Sequence, residues 1–151
     1  MLRQKFTDSL KEAMRQKDQL ATSTVRLIIA KLKEQDIDAR GKGKATGIGE
    51  PEIQQMLQGM IKQRRESITL YEQGGRPELA DKERGEIAII ERFLPKQLSD
   101  GEVEQAVKDT IAKIGAHGIK DMGRTMAALK ESYAGQIDSA KASQVVKRLL
   151  A

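Results

Sequence analysis

The sequence predicts an all-α fold, and three observations carry that prediction. Apolar residues recur at helical spacing through almost the whole chain, Gly, Pro and capping residues punctuate them at helix-length intervals, and no segment alternates as a strand does. Leu2, Phe6, Leu10 and Met14 fall at four-residue steps with Ala13 beside them, which predicts a first helix ending near Lys17. Asp18 stands where an N-cap is needed. Val25, Ile28, Ile29 and Leu32 then give a second helix ending near Ile37. Arg40 to Gly49 reads RGKGKATGIG, with four glycines, three basic residues and no apolar stripe. Such a composition predicts a flexible loop.

Glu50-Pro51-Glu52 restarts a helix, because proline suits the first turn and acids suit the positive end of the helix dipole. Ile53, Met56, Leu57, Met60, Ile61, Ile68 and Tyr71 are its predicted inner side, and Gly74-Gly75 stops it after Gln73. Pro77 starts a fourth helix with Leu79, Ile87, Ile90 and Leu94 inward. Gly85 inside it predicts a close contact or a soft spot. Leu94 to Leu98 breaks the pattern at Pro95. Ser99 and Glu102 then form a capping box ahead of Val103, Ala106, Val107, Ile111 and Ile114. Gly115 to Gly118 ends that fifth helix. Met122, Met126 and Leu129 support a short sixth, and Asp138 caps a seventh carrying Val145, Val146, Leu149 and Leu150.

The break at Pro95 divides the chain into a helical N-terminal domain of about four helices, residues 1–95, and a three-helix C-terminal head, residues 96–151. The head is near the lower size limit for an independent core.

Composition removes whole classes of chemistry. The 151 residues contain no Cys and one His, so thiol nucleophiles, disulfides, thiolate metal sites and two-histidine mechanisms are closed to the single chain. The charged N-terminus has no apolar core of a signal peptide, and no apolar run approaches the roughly 20 residues that span a bilayer. These features predict a soluble, cytoplasmic protein without a membrane partner. The loop around Gly41, Gly43 and Lys44 fails both the Walker pattern and the dinucleotide fingerprint. His117 sits in a glycine turn with no nucleophile or orienting carboxylate supplied by the sequence. Glu83, Glu86 and Glu66 read as ordinary helix-surface charges. The serines are isolated in helical or capping contexts. The sequence therefore predicts no catalytic set, no cofactor and no metal site.

The basic residues are left. Net charge is +5, from 27 Lys and Arg against 22 Asp and Glu. It splits as +4 over residues 1–50, −1 over 51–95 and +2 over 96–151. In the head, Lys120, Arg124, Lys141, Lys147 and Arg148 lie on two short helices and their approach turns. They are the candidate nucleic-acid contacts, together with helix-start N–H groups near Asp121 and Asp138. Lys62, Arg64 and Arg65 form a second basic cluster on the third helix. With four aromatic residues and no Trp, base stacking on single strands is disfavoured.

Lys62-Gln63-Arg64-Arg65-Glu66-Ser67-Ile68 with Tyr71, and Gly75-Arg76-Pro77-Glu78-Leu79-Ala80, resemble the hallmark stretch of the YqeY family. So does Phe93-Leu94-Pro95-Lys96-Gln97-Leu98-Ser99. The stretch Lys120-Asp121-Met122-Gly123-Arg124-Thr125-Met126, followed by Gly135, Asp138 and Val145-Val146-Lys147, resembles the same family's tail. The resemblance implies an all-helical, two-part protein whose head is shared with the tail of the GatB subunit of tRNA-dependent amidotransferase. In that enzyme glutamine donates the amide nitrogen, and the tail contacts tRNA. The implied function is an accessory RNA-binding module with tRNA as partner, not catalytic by itself. Two alternatives stand beside it: a protein-interaction adaptor, and a component of a carbon–nitrogen ligase acting within a larger assembly.

Overall fold

The structure is a computed structural model that describes residues 1–151. It is all-α: α1 Leu2–Arg15, α2 Gln19–Gly41, α3 Glu50–Gln73, α4 Pro77–Glu91, α5 Asp100–Ile114, α6 Met122–Ser132 and α7 Ser139–Leu150, with a short 3-10 turn at Ile119–Asp121 before α6. The chain forms two compact units, Met1–Leu94 and Pro95–Ala151. No helix is long and apolar enough to cross a membrane.

Local chemistry sets most of the boundaries. Asp18 accepts the Ala21 N–H, Asp138 accepts the Ala140 N–H, and Ser99 and Glu102 exchange side-chain and backbone bonds at the start of α5. Such caps satisfy orphan N–H groups of the first turn. At the start of α3, Glu52 reaches back to the Gly49 N–H and pairs with Lys44.

In the N-terminal unit α1 packs on α2, α3 packs along α4, and α4 also packs on α2. One core joins Phe6, Ile28, Ile53, Leu57 and Ile90, and a smaller one joins Ala13, Ala21, Val25 and Ile89. Phe6 meets Phe93 edge-on at 4.9 Å between ring centres, a favoured aromatic geometry. The close contact expected at Gly85 is present, since a Cβ there would stand 2.8 Å from Leu20 Cδ2.

Three expectations need correction. α1 ends at Arg15 rather than near Lys17, because Lys17 takes a left-handed turn (φ 58°) into the Asp18 cap, and Met14 is exposed instead of inward. α2 runs on to Gly41 rather than stopping near Ile37, because Asp36 and Ala39 continue its buried face. The segment after it is pinned rather than free. Asp36 accepts two bonds from Arg3, at 2.6 and 2.8 Å, and one from the Ile48 N–H at 2.9 Å, while Arg3 also donates to the Ile48 carbonyl. Gly47 lies against this carboxylate with φ 82° and no room for a Cβ. A hydrophobic pattern passes over a buried carboxylate, so the stripe reads as ending one turn early.

Candidate functional site

Residues Pro95–Ala151 form a three-helix bundle whose directions follow from its hydrogen bonds. Asp100 pairs with Lys141 at 3.1 Å and Glu104 with Arg148 at 2.9 Å, so α5 and α7 run parallel. The Leu98 N–H donates to the Gln136 carbonyl at 2.9 Å, which places the α6–α7 turn beside the start of α5. At the other end, Arg124 on α6 donates to the Ile114 carbonyl on α5 at 2.8 Å. α6 therefore runs antiparallel to both. The core is Val103, Ala106, Val107, Leu129, Ala142 and Val146.

This topology gathers the end of α5, the start of α6 and the end of α7 at one pole, and α7 touches the 3-10 turn there. Gly115 closes α5 in the left-handed conformation with φ 67°. Asp121 then accepts the His117 N–H at 2.9 Å and lies 3.3 Å from Arg124. The His117 N–H, and secondarily Arg124, hold the Asp121 carboxyl below the usual aspartate range.

Lys113, Lys120, Arg124 and Lys147 stand at this pole against Asp109 and Asp121. The opposite pole holds Asp100, Glu102, Glu131 and Asp138 against Lys96, Lys130 and Lys141. The head's small net positive charge is thus polarised along the bundle. Lys113 escaped the sequence reading. Its signal was its place in the last turn of the fifth helix, just before the glycine turn.

The five candidate cations of the head do not form one group. Lys120, Arg124 and Lys147 come to the positive pole. Lys141 and Arg148 lie along the α5–α7 groove with Val103, Gln144 and Val145, each paired to a carboxylate. Of the helix-start N–H groups expected to meet phosphate, the Ala140 N–H is taken by the Asp138 carboxylate, which occupies the place where a phosphate oxygen would sit. Asp121 instead takes the His117 N–H, ahead of the 3-10 turn, and gives α6 no side-chain cap.

The second basic cluster is divided. Lys62 and Arg65 are exposed, Arg65 within 3.7 Å of Glu91. Arg64 turns inward. Its side chain is 12% exposed, donates to Glu86 at 2.8 Å and to the Met60 carbonyl at 3.2 Å, and lies 3.9 Å from Glu83. Glu86 is 10% exposed as a side chain. Neither it nor Glu83 is the ordinary surface charge that helical spacing suggested. Burial, then the nearby Glu86, raises the Glu83 carboxyl above the usual range, with Arg64 opposing.

Comparison with known proteins comes to the same chain from another side. The model of a family described as "Yqey-like protein" matches residues 3–150. A protein of Vanderwaltozyma polyspora named "Altered inheritance of mitochondria protein 41, mitochondrial" is 32% identical over 120 residues, covering 75% of this chain and 62% of that protein. Proteins of the same name from Lachancea thermotolerans and Saccharomyces cerevisiae (strain YJM789) are each 30% identical, over 107 and 101 residues. Those matches cover 70% and 66% of this chain, and 55% and 52% of the relatives. The chain spans about half to three fifths of these relatives' length.

Proposed function

Because the chain belongs to the YqeY-like family, we propose that it is an accessory RNA-binding module with tRNA as its partner. The observation that carries this reading is the polarity of the head. Lys113, Lys120, Arg124 and Lys147 stand toward one pole against two acids, while the other holds four acids against three bases. Phosphate binding needs spread cations on a scaffold that fixes their spacing. The Arg124–Ile114 and His117–Asp121 bonds supply that scaffold by tying α6 to the end of α5.

Affinity resides in Lys113, Lys120 and Lys147. Arg124 is a weaker contact because its guanidinium is already shared between Asp121 and the Ile114 carbonyl. The module contributes binding, not chemistry. Ser99 is spent on its cap and Ser23 on the Leu20 carbonyl, so neither hydroxyl is placed beside a base.

The test is titration of tRNA into the full chain at low and moderate salt, followed by fluorescence anisotropy. Binding weakens steeply with salt, and Lys120→Glu with Lys147→Glu lowers affinity at least tenfold while making the salt dependence shallower. No binding at low salt, or a double variant that binds as the wild type does, overturns the reading. Glutamine-dependent amide formation by the purified chain would instead favour the carbon–nitrogen ligase alternative.

A further inference from the structure

α2 carries apolar side chains on two opposite faces, one fully used within the chain and one, interrupted by Glu34, left in solvent. Ala21, Val25, Ile28, Leu32 and Ala39 are buried. On the far side, Ser23, Leu27, Ala30, Glu34, Ile37 and Gly41 are all exposed. They follow one another at alternating steps of four and three residues, the spacing that keeps a seam facing a partner helix. Leu27 is 48% and Ile37 61% exposed, and both rank among the large apolar side chains left in solvent. Ser23, Ala30 and Gly41 are small enough to let another backbone approach closely. The seam is about 27 Å long at the helical rise of about 1.5 Å per residue.

Its flanks indicate what covers it. Along one edge Arg26, Lys33 and Arg40 recur every seven residues and are exposed. Along the other stand Lys31 and Asp38, satisfied locally by Glu34 at 3.6 Å and Lys42 at 3.2 Å. A second copy fits badly. Antiparallel pairing would set the Arg26, Lys33 and Arg40 edge against itself, and parallel pairing would put Glu34 opposite Glu34. Nucleic acid also fits badly, because Leu27 and Ile37 offer nothing to phosphate and Glu34 repels it from the middle of the seam.

We propose that the outer face of α2 docks an amphipathic helix of another protein, one with aliphatic or small seam residues, acidic flanks and a basic residue facing Glu34. Acidic residues of that helix pair with Arg26 and Lys33, while Leu27 and Ile37 fill its seam. This surface lies on the N-terminal unit and does not depend on RNA binding by the head.

The experiment places a photo-crosslinking phenylalanine analogue at Ala30 of the full chain in its own cells and maps the adduct by mass spectrometry. The expected adduct is a protein segment with apolar residues at steps of four and three and with Asp or Glu beside them. A synthetic peptide of that segment then binds the full chain in solution. Arg26→Glu with Lys33→Glu weakens it at least tenfold, and Ile37→Ser does so independently. Circular dichroism verifies that both variants, altered only at exposed positions, retain their helices. An adduct to RNA, to a second copy or to the chain's own head overturns the proposal. So does the absence of any adduct above the unirradiated level, or peptide binding that both variants leave unchanged.

Discussion

Replacing Asp36 by asparagine tests how the N-terminal unit is closed. In the wild type the Asp36 side chain is 8% exposed, accepts two bonds from Arg3 and one from the Ile48 N–H, and ties the start of α1 to α2 and to the chain entering α3. The Arg3 hydrogen bonds, more than burial opposes them, hold its carboxyl at about 2 against an ordinary 3.8. A carboxyl depressed by that much contributes about 2 kcal/mol of stability at neutral pH. The contribution is fully present above the unfolded value and is lost as pH falls from about 4 through about 2. Asparagine keeps the shape and one acceptor for Ile48 but removes the charge facing Arg3. Asp36→Asn should therefore cost about 2 kcal/mol at pH 7, and the gap from wild type should close as pH approaches 2. Urea unfolding followed by amide NMR reads residues 1–94 apart from 95–151. A cost below about 0.5 kcal/mol at pH 7 would refute the reasoning. So would a cost that stays constant from pH 7 to 2.

The same clasp predicts that Gly47→Ala destabilises the N-terminal unit by about 2 kcal/mol or more, because its Cβ would collide with Asp36 and φ is positive. Gly43→Ala, also at positive φ but with open space around it, should cost about 1 kcal/mol in the same urea unfolding assay. Arg64→Ala strands Glu86 and Glu83 and should cost about 3 kcal/mol by urea unfolding, whereas Lys62→Ala on the exposed side should stay within about 0.5. The buried Thr24 hydroxyl finds no hydrogen-bond partner within the protein. Thr24→Val, which keeps the shape, should leave the N-terminal unit as stable as wild type or about 1 kcal/mol more so in the same titration. Ser99→Ala removes the α5 cap and should cost the C-terminal unit about 1 kcal/mol, visible in calorimetry as a lower midpoint for that unit alone.

Helices were legible because their signals are local. Asp18, Ser99 with Glu102, and Asp138 mark starts by bonding within three residues of themselves. The inner stripe of α3 from Ile53 to Ile61 is a matter of spacing along one helix. Arg64 and Glu86 were misjudged, and Arg3 and Asp36 passed unread, because the partners arrive from far along the chain. Arg3 and Asp36 are 33 positions apart, and Arg64 and Glu86 are 22 apart. A charge on a helix reads as solvated until a second helix brings its counterion and removes the water.

The candidate site divides in the same way. Sequence alone determined that this protein is helical, without cysteine and modestly basic, and it supplied Lys120, Arg124 and Lys147 as candidates. Tertiary structure decided that these three, with Lys113, stand toward one pole of the head, because α5 and α7 run parallel and α6 runs against both, which puts those helix ends on the same side. It also decided that the outer stripe of α2 faces solvent. Periodicity records which residues share a face of a helix, but only packing selects which face the rest of the chain covers.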